Sequence, residues 1–105
     1  MLNELAQKIN ETAHVHGWWD TDRSFGDIIA LCHSELSEAL EAYRNHEEML
    51  WFNCDKPEGM AVEMIDCVIR IFDYLSQKGI DIDKVIQIKM DYNETRPYRH
   101  GDKEM

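Results

Sequence analysis

The sequence predicts an all-α fold built from four helices. Three observations carry that expectation. Apolar residues recur at three- and four-residue intervals through most of the chain. Breaks fall at Gly17, near Asp55-Lys-Pro57 and at Gly79. Helix-start signals stand at Ser24, at Asp55-Lys-Pro-Glu58 and at Asp81 or Asp83. The chain has 105 residues, so a single domain spanning 1–105 is expected, with a polar C-terminal tail over 96–105. A chain of this size buries roughly two-thirds of its unfolded surface, enough for one modest core.

Leu2, Leu5, Ile9 and Ala13 share one helical face, so a first helix is predicted over 2–16, ended by Gly17. A polar and aromatic connection, Trp18 to Arg23, follows. Ser24 with Asp27 three positions later marks the start of a second helix running to Arg44. Its apolar side is Phe25, Ile28, Ile29, Cys32, Leu36, Ala39, Leu40 and Tyr43. Residues 46–55 mix charge with Met49, Leu50, Trp51 and Phe52, and read as a loop or short helix. Asp55-Lys-Pro-Glu58 has the chemistry of a helix start, placing a third helix from there to Lys78. That helix is apolar on more than one face, which predicts burial on most sides and hence a homodimer or homotetramer. Asp81 or Asp83 opens a fourth helix that ends near Tyr92 or Asn93, ahead of Pro97.

The net charge is -10, from 21 acidic and 11 basic residues. That balance disfavours a general affinity for nucleic acid polymers or anionic membranes. No stretch is long and apolar enough to cross a bilayer. Cys32, Cys54 and Cys67 form no C-x-x-C unit, and a reducing, cytoplasmic location is expected.

Two short carboxylate pairs stand out, Glu35-x-x-Glu38 and Glu63-x-x-Asp66. Residues three apart on a helix share a face. Packing the second helix on the third would bring four carboxylates together. Their mutual repulsion would be relieved by a hard divalent cation, for which oxygen ligands are preferred. Glu63 and Asp66 lie in a markedly apolar run, where an unpaired charge costs several kcal/mol. The alternative partner is Arg70, four residues after Asp66. Glu11-x-x-His14 has no second copy of the kind a di-iron bundle needs. No Gly-rich phosphate loop of the P-loop type is present.

The two acidic motifs, the run His33-Ser-Glu-Leu-Ser-Glu-Ala-Leu-Glu41 and the run Tyr92-Asn-Glu-Thr-Arg-Pro-Tyr-Arg-His-Gly101 together resemble the MazG-like nucleotide pyrophosphohydrolases. The resemblance covers the chain from about Trp18 to Lys103 and implies a MazG-like helical bundle assembled as an oligomer. It also implies hydrolysis of a nucleoside triphosphate between its α and β phosphates, giving a monophosphate and pyrophosphate. Glu35, Glu38, Glu63 and Asp66 would hold Mg2+, with Mn2+ as the alternative ion.

The family's first motif opens with two adjacent Glu residues, and this chain has Ser34 at the first of them. The general base is then Glu38, Glu41 or a metal-bound water. The same departure leaves open a catalytically impaired relative that only binds nucleotide or metal. Lys89, Asn93 and Arg96 recur at helical spacing and are candidates for the triphosphate, with Arg99 and Lys103 beyond them. His100-Gly101 is a further candidate for substrate contact. Trp18 is the leading candidate to stack on the base, ahead of Trp19, Trp51 and Phe52.

Overall fold

Helix propensity and capping chemistry decide most of the chain's local structure. The computed structural model describes residues 1–98. Four helices follow in order: α1 (Leu2–Val15), α2 (Phe25–Arg44), α3 (Met60–Gln77) and α4 (Ile82–Thr95). Between α2 and α3 lies a short antiparallel hairpin, β1 (Trp51–Asn53) and β2 (Lys56–Glu58). The fold is thus mostly helical, as expected, with one addition.

The start of α2 follows its capping signal. The Ser24 side chain accepts from the Asp27 backbone N–H at 3.1 Å. At α4, Asp81 does the same for the Lys84 N–H at 3.1 Å. The first helix has no side-chain cap of its own. Instead Asp83 of α4 accepts from the Leu2 and Asn3 N–H groups at 2.8 and 3.3 Å. Asn3 Oδ1 in turn accepts from the Ile82 and Asp83 N–H groups at 2.7 and 3.3 Å. Two helix N-termini therefore satisfy each other's orphan donors.

The run Asp55-Lys-Pro-Glu58 does not start a helix; within 46–55, residues 46–50 are loop as expected, while 51–53 are strand and 54–55 a turn. Phe52 pairs with Pro57 and Asn53 with Lys56, leaving Cys54 and Asp55 as a two-residue turn. Cys54 takes the left-handed conformation, at φ 57°. Gly59, at φ 117°, then opens α3. A Cβ there would lie 2.4 Å from the Met49 carbonyl oxygen and 2.6 Å from that of Glu48. The Ala61 N–H donates to the same Met49 oxygen at 3.0 Å, so the hairpin base is tied to the first turn of α3.

Among the helices, α2 packs most extensively on α3, α1 packs next on α3, and α4 touches α1 only lightly. The core is small: Ile28, Cys32 and Cys67 form its centre, with Trp19 and Tyr74 packed against it. The third helix is not buried on most sides within one chain. Only Cys67 and Asp73 of its residues are buried, while Met64, Ile65, Val68 and Ile71 stay 41–55% exposed. The radius of gyration is 16.5 Å, against about 13 Å for a compact chain of about 100 residues. No helix of the described residues is long and apolar enough to cross a membrane. Arg99, His100, Gly101 and Lys103 lie outside the described residues, as does most of the predicted tail.

Candidate functional site

The α2–α3 packing brings the two acidic motifs face to face. Oxygens of Glu35, Glu63 and Asp66 lie within 4.8 Å of one another. Glu38 stands outside that tight trio but is close enough to hydrogen-bond Glu63. Together with Glu41 they line a cavity of about 390 Å3. The hairpin and the segment before it complete the wall with Glu47, Lys56, Pro57 and Glu58. Lys56 is the single cation of that wall among the described residues, and its ammonium lies 3.7 Å from Glu58.

Crowding of like charge in a half-buried place has the expected electrostatic result. Glu63 is pushed up to about 7, first by burial and then by the carboxyls of Glu38 and Glu35. Asp66 is raised as well, by burial and by the charge of Glu35, with Arg70 opposing. Arg70 does not pair with Asp66, its neighbour four residues earlier. It reaches across to α2, where Nε and Nη2 both lie 3.1 Å from Glu35 Oε1. The other oxygen of Glu35 makes no bond to Arg70. This carboxylate, 8% exposed, is thus paired with a cation through one of its oxygens.

Glu35 and Asp66 also form part of a second cavity, of about 410 Å3, between α1 and α3. Trp18 lines it. Arg23 lies 3.4 Å over the Trp18 ring and Arg70 5.2 Å from its centroid. The guanidinium of Arg23 therefore already occupies a face on which a base was expected to stack. Trp19 belongs to the core, Trp51 donates to Glu47 at 2.8 Å, and Phe52 is exposed. His14 contacts Gln77 at 2.7 Å, which gives it a polar partner unrelated to any metal pair.

The structure does not bring Lys89, Asn93 and Arg96 to either cavity within one chain. Lys89 and Arg96 flank the Tyr92 ring at 5.0 and 5.7 Å, and Lys89 also borders an apolar groove with Phe72 and Val85. Residues not anticipated are Glu47, Lys56 and Glu58 on the hairpin side and Asp73 on α3. Asp73 had a legible signal. Glu63, Asp66, Arg70 and Asp73 follow a 3-4-3 spacing, one continuous polar stripe through an apolar helix. The hairpin residues had none, because their place depends on a turn that the sequence disguises as a helix start.

Compared with known protein families, with curated proteins and with solved structures, the chain matches none.

Proposed function

We propose that the chain is a Mg2+-dependent, MazG-like nucleoside triphosphate pyrophosphohydrolase, cleaving between the α and β phosphates to release monophosphate and pyrophosphate. The observation that carries the reading is the convergence of Glu35, Glu63 and Asp66 within 4.8 Å, with Glu63 pushed up to about 7. Mg2+ sits about 2.0–2.1 Å from its oxygen ligands, so small side-chain rotations would let these three close on one ion. Glu38, adjoining Glu63, is the fourth candidate ligand and the first candidate base, with Glu41 one turn on. When bound, the ion would neutralise phosphate charge and acidify a bound water. Mn2+ suits the same oxygen donors.

Among the chain's own residues, Lys56 would offset charge at the cavity wall, and Arg70 would hold Glu35 in place. Trp18 would border the base. Lys89, Asn93 and Arg96 would serve a phosphate site only if presented by another copy of the chain. The exposed apolar residues of α3 and α4 favour such a homodimer or homotetramer. The setting proposed is the cytoplasmic nucleotide pool.

A binding protein without turnover is the second reading, favoured by Ser34 and by the Arg70 hold on Glu35. Pyrophosphate release from a panel of nucleoside triphosphates, with Mg2+, Mn2+ or EDTA, separates the two. Metal-dependent release with monophosphate as co-product is expected. Metal-dependent stabilisation without release favours the binding protein.

A further inference from the structure

The cavity between α1 and α3 has features that the acidic site does not explain. Ile9, Ala13 and Ile69 give it apolar walls, Glu35 and Asp66 border it, and Asp73 lies two helical turns beyond Asp66. Seven residues of α-helix span about 10.5 Å, comparable to the reach of a nucleoside from its base edge to its 5′ oxygen. At about 410 Å3 the space falls within the roughly 300–1,000 Å3 of small-molecule sites.

Asp73 is 6% exposed. Asn10 Nδ2 donates to its Oδ1 at 2.8 Å, and Trp19 Nε1 is shared between Oδ1 and Oδ2 at 3.0 and 3.1 Å. Both donors are neutral, and no ion pair within the described residues reaches this carboxylate. A carboxylate has about four acceptor sites and no donor. Two N–H groups leave acceptor capacity unused, and a buried charge with no cation gains from any further donor.

We propose that Asp73 is a specificity-determining residue that accepts a hydrogen bond from the exocyclic amino group of a nucleobase lodged in this cavity. The substrate class is then nucleotides of adenine and cytosine types, whose amino group stands where hypoxanthine and uracil carry a carbonyl. Uracil, thymine and hypoxanthine turn a carbonyl oxygen toward the place where the amino group would donate, and that oxygen repels the carboxylate. The ligand's identity as a nucleotide rests on the pyrophosphohydrolase reading; the donor requirement rests on Asp73 itself.

The test uses nucleosides without phosphates, on the full chain in EDTA, so that it does not depend on turnover. Deoxycytidine is compared with deoxyuridine, and deoxyadenosine with deoxyinosine, by equilibrium titration followed by NMR. Within each pair, only the exchange of amino for carbonyl and its attendant ring proton differ. The amino member of each pair is expected to bind at least tenfold more tightly. Asp73→Asn, which keeps the volume and an acceptor for Trp19, is expected to bring each pair to within threefold. A role confined to holding Trp19 and Asn10 would weaken both members equally and leave the ratio standing. Ile69→Trp, which fills the cavity without touching the Asp73 bonds, is expected to remove nucleoside binding. Equal affinities within the wild-type pairs, no binding at all, or a ratio that survives Asp73→Asn overturns the proposal. Nucleoside discrimination in a chain that releases no pyrophosphate would overturn the reaction while leaving this pocket in place.

Discussion

At Glu63, burial and two neighbouring carboxyls make the folded chain hold a proton that the unfolded chain releases near 4.5. An acid whose pKa is raised by folding favours the native state at low pH. Its contribution is complete below the unfolded value and is lost as pH rises through about 7. In EDTA the melting temperature should therefore fall between about pH 5 and pH 8. Saturating Mg2+ should flatten that slope, because an ion bound only by the native state replaces the proton. A metal-free melting temperature that is level across this range would contradict the crowded cluster. Asp66→Asn removes one member of the trio with little change in volume. It should abolish the stabilisation by Mg2+ and the proposed turnover, both read on the same sample. The Arg70–Glu35 pair calls for a different expectation. Arg70→Ala leaves a mostly buried carboxylate alone and should cost about 2–4 kcal/mol in urea unfolding.

The elements show where local chemistry suffices and where it misleads. Ser24 and Asp81 act as helix caps because each needs only a backbone N–H two or three residues away, so neighbouring sequence contains the whole interaction. Asp55-Lys-Pro-Glu58 has the same composition signals and forms a turn and strand instead. The Met49 and Glu48 carbonyls close against Gly59, and Ala61 bonds Met49, so the helix begins where that anchor is. Gly59→Ala should therefore destabilise the chain by about 2–4 kcal/mol, since both the positive φ and the carbonyl contacts oppose a side chain. Circular dichroism against urea measures it. The mutual capping of α1 and α4 joins residues 80 positions apart and could not be read from either helix alone. Asn3→Ala and Asp83→Ala should each lower stability, and the double variant by less than their sum. Strict additivity in that cycle would show the two caps to be independent.

As a whole molecule, the single chain is more open than its length requires, and α3 and α4 both carry apolar residues outward. Val85, Ile88 and Met90 of α4 are each more than half exposed, as are Met64 and Ile65 of α3. A second copy would cover such faces, and sedimentation should give a multiple of the 12.4 kDa chain mass. Ile65→Lys with Ile88→Lys should shift that assembly toward monomer while far-UV circular dichroism stays helical. A chain that sediments at 12.4 kDa at micromolar concentration would exclude the oligomer.

Sequence alone determined the helices, most of their ends and the two acidic pairs, because periodicity, caps and i,i+3 spacing are all local. Tertiary structure decided which carboxylates meet. Glu35, Glu63 and Asp66 converge because α2 packs against α3 at one particular register, and the same contact lets Arg70 pair with Glu35 across it. It likewise placed Lys56 at the acidic wall and Asp73 at the second cavity. Those positions follow from a hairpin anchor and a helix–helix contact, both long-range, and long-range packing overrides local preference wherever the two compete.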